Sequence, residues 1–128
     1  MKAPPSENEE ARLEALRRYA ILDTFPEQDF DDLARLAALI CGTPIALVSL
    51  VDRERQWFKA KIGLDEKQTS RDVSFCAHAI LKPDVMIVPD TLEDARFRKN
   101  ALVTGEPHIR FYAGAPLITE NGHALGSL

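Results

Sequence analysis

The apolar positions of this chain follow two different spacings, and the change between them predicts its elements. From Ile45 to Val51 nearly every position is apolar and several are β-branched, the pattern of a strand covered on both faces. Beyond Asp52-Arg53-Glu54-Arg55, the residues Phe58, Ala60 and Ile62 alternate with Trp57, Lys59 and Lys61, the period of a strand with one wetter face. Together they predict a hairpin, with Phe58 inward and Trp57 on the outer face. Helical spacing precedes it. Leu13, Leu16 and Ala20 form a narrow stripe behind a Ser6/Glu9 capping box, and Leu33, Leu36, Ala37 and Ile40 form a wider face that Gly42 is placed to end. That second helix is expected to cover one face of the sheet.

After the hairpin, Leu64 to Asp72 reads as a polar loop, and Ser74 as the cap of a short helix from Phe75 to Leu81 that Pro83 stops. Val85 to Val88 is a short strand. Leu92 to Asn100 is expected to hold a helical turn carrying Phe97. Ile109 to Leu117 alternates as a fourth strand, with Pro116 marking an irregularity, and Asn121-Gly122 signals a tight hairpin turn into a last strand from His123. Pro4-Pro5 reads as the end of a disordered lead. The pattern is α+β: an antiparallel sheet with helices packed on one face and a loop and helix cap on the other.

Composition narrows the function. The chain has 128 residues, 45% hydrophobic and 28% charged, with a net charge of -4, so one domain is expected and no apolar run approaches a membrane span. Mild acidity without a Lys/Arg cluster argues against nucleic acid as partner, and the N-terminal sequence lacks an apolar signal region, which points to a cytoplasmic protein. Cys41 and Cys76 are then reduced thiols.

Six segments in order, Arg18–Thr24, Phe30–Leu33, Pro44–Asp52, Gln56–Lys59, Ser74–Ile80 and Phe111–Leu117, resemble a bacterial GAF domain of the subgroup found N-terminal in sensor histidine kinases and diguanylate cyclases. The resemblance implies an N-terminal helical segment over residues 1–25 and a GAF-like sensory domain over 26–128, shortened at its C-terminus. It implies a sensory input module, itself not an enzyme, that binds a small molecule and signals through a helical dimer to a kinase or cyclase effector beyond Leu128. The homodimer is expected through the N-terminal helices.

The candidate site lies between sheet and cap. Phe58, Phe75, Phe97, Phe111 and Tyr112, with Ser49 or its neighbours, are the expected apolar lining, and Cys76, His78, Asp90 and Arg110 the expected polar contacts. Arg71 and the donors at the start of the cap helix offer a place for an anion. The same residues also fit a packed core, with Cys76 a small buried hydrophobe and His78 a structural hydrogen-bonding group. Cys76-x-His78 supplies only two metal ligands, so no metal site follows, and no cofactor is identified. Ala77 separates the Cys-His pair that bilin-binding GAF domains carry adjacent. Two readings rival ligand sensing: a thiol-dependent reductase like the free methionine sulfoxide reductases, using Cys76, and a ligand-free dimerisation module.

Overall fold

The computed structural model describes residues 1–128. Helices α1 (Glu9–Arg18) and α2 (Gln28–Cys41) precede strands β1 (Ala46–Val51), β2 (Arg55–Ile62) and β3 (Gln68–Ser70). The cap follows as the 3-10 turn Arg71–Val73, the short helix α3 (Cys76–Ala79), β4 (Met86–Val88), the 3-10 turn Thr91–Glu93 and α4 (Ala101–Thr104). Strands β5 (Tyr112–Gly114), β6 (Pro116–Ile118) and β7 (Ala124–Ser127) complete the chain. The main sheet has five antiparallel strands in the order β3-β2-β1-β7-β6, and β4 pairs with β5 in a sheet of two. The expected α+β architecture is the one observed.

Gly42 ends α2 in a left-handed conformation at φ 64°, as the sequence predicts. The two-residue turn expected at Asn121-Gly122 is instead a three-residue loop, Glu120 to Gly122, in which Gly122 takes φ 85° and donates to the Thr119 carbonyl at 2.9 Å. The run from Ile109 to Leu117 differs from its expected single strand. It splits at Ala115, so that β5 joins the cap and β6 the main sheet, with Ala115 exchanging both backbone hydrogen bonds with Leu128. The lead is also ordered: Ala3 is buried against Val51, Cys76, Ala77 and Ile80. β3, which falls in the stretch read as a polar loop, and α4 are too short to show a period, and α4 is set by Asn100, whose side chain accepts from Leu102 N–H at 2.8 Å.

Two bulges decide which residues face the helices. Val48 pairs with Ala60 but Ser49 pairs with Phe58, leaving Lys59 as the extra residue of β2. Trp57 therefore turns inward, opposite Leu50, and is buried with Ala15 and Leu16 of α1, which corrects its expected outer position. Lys59 is buried with it, its ammonium 2.6 Å from Glu27 and 2.7 Å from both Thr24 Oγ1 and the Phe25 carbonyl. In β7, Leu117 pairs with Gly126 and Ile118 with Ala124, so Leu125 is likewise extra and joins the α1 core.

The second helix meets the sheet through small residues. Ala34 packs on Ala46, Val48 and Ala60, with Phe30, Ala37 and Ala38 beside it. Leu33, Leu36 and Ile40 are exposed, which corrects the expectation that they form the sheet-covering face. Alanines let the helix backbone approach closely, and the bulky stripe is rotated to the side. In contrast Leu13 and Leu16 of α1 are fully buried, so that helix spends its apolar stripe within the chain.

Candidate functional site

The cap-facing surface of the sheet carries a cross-strand row. Phe58, Ser49 and Ser127 lie opposite one another on β2, β1 and β7. Above them sit α3 and β5. Ser127 Oγ donates to Cys76 Sγ at 2.9 Å, and Tyr112 OH lies 3.2 Å from Ser127 Oγ and 3.5 Å from the sulfur. Three elements thus meet on one thiol. Burial, and then the neighbouring Cys76, push the Tyr112 phenol well above its ordinary pKa, so it stays protonated and acts as a donor. Ser49 beside this cluster is fully buried, and its hydroxyl has no hydrogen-bond partner.

Aromatic rings fill the space next to the cluster. Phe75 stacks on Phe97 with centroids 4.2 Å apart, Tyr112 tilts against Phe75 at 5.1 Å, and the His78 ring meets Phe97 edge-on at 4.8 Å. Val88 and Val103 close the cluster. His78 Nε2 donates to the Met1 carbonyl at 3.0 Å, which fixes its tautomer. Burial holds its pKa below the ordinary value despite that bond, so the ring is neutral at pH 7.

Of the residues expected at the site, the structure brings together Phe75, Cys76, His78, Phe97 and Tyr112. Phe58 shares the cap-facing row but does not join the ring stack. Asp90, Arg110 and Phe111 lie elsewhere. Asp90 is exposed and accepts from Leu92 N–H at 3.0 Å, capping its own 3-10 turn. Arg110 is exposed and donates to the carbonyls of Val103 and Ile109, so its charge finds backbone partners at the end of α4. Phe111 is half exposed because β5 alternates, and the inward position belongs to Tyr112.

The expected anion place is occupied by the protein itself. Ser74 Oγ accepts from Ala77 N–H at 3.1 Å and donates to Gln56 Oε1 at 2.9 Å. Arg71 turns away to Glu9, 2.6 Å from its carboxylate, and to the Asp52 carbonyl at 3.0 Å. Glu9 also receives both Arg12 Nε and Nη2, at 3.0 and 2.9 Å. Arg12 is only 1% exposed and spends a further donor on the Ala124 carbonyl at 3.3 Å. Burial alone would raise the Glu9 pKa, yet its bonds to the two guanidiniums hold it far below the usual carboxylate range. This bridge ties α1 to the entrance of the cap and replaces the expected capping box: no side chain caps α1, and Ser6 Oγ donates to the Glu9 carboxylate at 3.2 Å.

Ser127 and Ser49 complete the thiol cluster, and the signal for Ser127 is weak: a hydroxyl in a short strand whose partner is far away in sequence. The two cysteines are not brought together, since Cys41 is exposed at the end of α2 and Cys76 is buried in the cap. Thiol titration of the native protein is expected to count one fast thiol, Cys41, with the second appearing only in denaturant. Cys76→Ala is expected to cost about 1–2 kcal/mol in urea unfolding, from one lost small side chain and an orphaned Ser127 donor. Two fast thiols in the native state would contradict this packing. An open groove of about 380 Å³ lies between α1 and the β6–β7 hairpin, lined by Ala15, Arg18, Tyr19, Thr119, Glu120 and Asn121.

The architecture is a five-stranded antiparallel sheet backed by helices on one face and closed on the other by a small cap over a polar thiol cluster. The chain belongs to the GAF domain family, whose pattern matches residues 26–128. It is 48% identical over 129 residues to a cyclic di-GMP phosphodiesterase of Pseudomonas aeruginosa, an alignment that takes in 100% of this chain and 22% of that protein. The chain thus spans about a fifth of that relative's length. Among solved structures it is similar to the type II free methionine-R-sulfoxide reductase of Thermoplasma acidophilum, with TM-score 0.61, 13% identity, and 88% of this chain and 73% of that one covered. It is also similar to the GAF domain of an Acinetobacter phosphoenolpyruvate-protein phosphotransferase, with TM-score 0.58, 16% identity, and 91% and 73% covered. At these identities the two structures show the fold.

One expectation is corrected by the first of these relatives. The sequence reading has a chain that is not an enzyme, in a protein whose effector is a kinase or cyclase. The relative that aligns along the whole chain is named as an enzyme of another kind, a phosphodiesterase. No helix of the chain is long and apolar enough to cross a membrane.

Proposed function

We propose that this chain is the regulatory GAF region of a cyclic di-GMP phosphodiesterase, and that it responds to a small, uncharged, hydrogen-bonding molecule between sheet and cap. The observation that carries the reading is the alignment with the Pseudomonas enzyme over the whole chain. The ligand class rests on the site. Ser49, Ser127, Cys76 and Tyr112 present hydroxyls and a thiol, while Asp90 and Arg110 lie outside. A buried hydroxyl without a partner costs about 1–3 kcal/mol, which a ligand bonded to Ser49 would recover.

Signal transfer follows the bonds already described. A cap that shifts to admit the ligand moves Arg71, and Arg71 holds Glu9 at the start of α1. The helices on the far face are thereby coupled to the cap without contact between ligand and helix. The site location, the ligand class and the cytoplasmic setting are parts of this proposal.

The test is a graft. Exchanging the aligned segment of the Pseudomonas phosphodiesterase for this chain is expected to retain hydrolysis of cyclic di-GMP and its response to cell extract metabolites, and Ser49→Val is expected to reduce the response about fivefold or more. Deleting the segment with no change in rate or response would sink the regulatory reading. A response untouched by Ser49→Val would sink the site.

A further inference from the structure

We propose that residues Met1 to Pro5 form a strap across α3 that gates the buried thiol cluster, and that its opening is the route by which a small molecule reaches Cys76 and Ser127. Which ligand it admits rests on the site proposed above; the strap stands on its own contacts. Met1 N donates to the Arg96 carbonyl at 2.9 Å, and His78 Nε2 of α3 donates to the Met1 carbonyl at 3.0 Å. Lys2 lies 3.1 Å from Asp72, in the turn that precedes α3. Ala3, the one buried residue of the first five, joins Cys76, Ala77 and Ile80 in a single apolar cluster. The segment thus crosses the cap from Arg96 to Asp72 and is pressed onto the helix that carries the thiol.

These fastenings are of the kind that release. Residues 1–5 belong to no helix or strand, and apart from the Met1 bonds their main chain makes no hydrogen bond. The Lys2–Asp72 pair is 70% and 60% exposed, so it holds weakly. The seal is therefore the methyl group of Ala3. Pro4 and Pro5 have fixed φ and no N–H, so the strap swings as one stiff piece about Ser6. Segments with few buried contacts open locally, well before the molecule unfolds. The rest of the cap is held differently, by the stack of Phe75 on Phe97 and by Asn100 donating to the Val73 carbonyl at 3.1 Å. The strap can therefore lift while the cap stays assembled. It also continues into α1, where Glu9 holds Arg71, the neighbour of Asp72. Strap and helix grip the same turn, Arg71–Val73, so a ligand that displaces the strap bears on α1, and a shift of α1 loosens the strap in return.

The test reads Cys76 directly, in a Cys41→Ser background that leaves it as the one thiol. Alkylation by iodoacetamide, a small uncharged probe, is followed by mass spectrometry over hours. Ala3→Asp places a charge where the strap seals, and is expected to raise the rate about tenfold or more over the unaltered strap. The circular dichroism spectrum should stay in place. The faster rate is expected to be flat up to about 1 M urea, because opening the strap exposes little surface. Equal rates with and without Ala3→Asp would overturn the gate. So would a rate that climbs with urea at the slope of global unfolding, since Cys76 would then be reached only by unfolding. Gate and ligand site fail separately. Alkylation indifferent to Ala3→Asp, in a graft whose response still needs Ser49, removes the gate alone; alkylation that responds, in a graft indifferent to Ser49→Val, removes the site alone.

Discussion

Glu9→Ala is expected to lower the stability of the chain by about 3 kcal/mol, at the lower edge of the range for breaking a buried charge pair. The loss is not chiefly that of an attraction. Glu9 is the single carboxylate shared by Arg12 and Arg71, and without it the guanidinium of Arg12, with 1% of its side chain exposed, stays buried beside a second cation. Urea unfolding at pH 7 measures the effect, and a change under about 0.5 kcal/mol would show that the cluster relaxes into solvent.

The same carboxylate sets a pH dependence. Its folded pKa is depressed, so the unfolded chain takes up the proton first, and the stabilisation is complete above the ordinary glutamate value of 4.5 and lost as the pH falls below it. Glu10, Asp23 and Asp94 shift in the same direction through Arg53, Arg55 and Arg96 and add to the acid slope. Wild type is therefore expected to lose stability steeply below about pH 4.5, and Glu9→Ala less steeply, with the two curves converging. Parallel curves would place the acid sensitivity in the exposed pairs.

Phe97→Ala is the second large effect, expected at about 3–5 kcal/mol. Its ring is fully buried between Phe75, His78 and Val103, so truncation empties the centre of the cap. At roughly 3–5 °C per kcal/mol for a chain of this size, the melting temperature should fall by more than about 10 °C. A small aromatic solute such as toluene is expected to recover part of the loss by occupying the space. A cost below about 1 kcal/mol would mean that the cap closes over the gap, and the ring stack would then not be what holds it to the sheet.

How much of this was legible in the sequence depended on how local the cause was. The buried strand Ile45–Val51 and the stop at Gly42 are written in a few adjacent residues, and the structure has them where the pattern puts them, whereas the turn expected at Asn121-Gly122 takes in Glu120 as well. The sheet-facing side of α2 was misread because hydrophobic bulk is a poor guide where close approach favours alanine. Asp90 and Arg110 were drawn toward the site by their charge, whereas backbone groups within a few residues satisfy them. Cys76 and Tyr112 were legible singly, but their meeting at Ser127 depends on β7 lying beside β1, a pairing across about 75 residues that no local pattern encodes.

The bulge at Lys59 works on the strand as a frameshift works on a reading frame. On one side of it odd-numbered residues face the helices, on the other side even-numbered ones do, and the inserted lysine sits at the join with its charge held by the segment between α1 and α2. Comparison of this strand with a related one must therefore be made in two phases. Deleting Lys59 would restore unbroken alternation, with Trp57 and Ala60 still toward the helices and Phe58 still toward the cap, and would remove only the buried charge and the kink it makes.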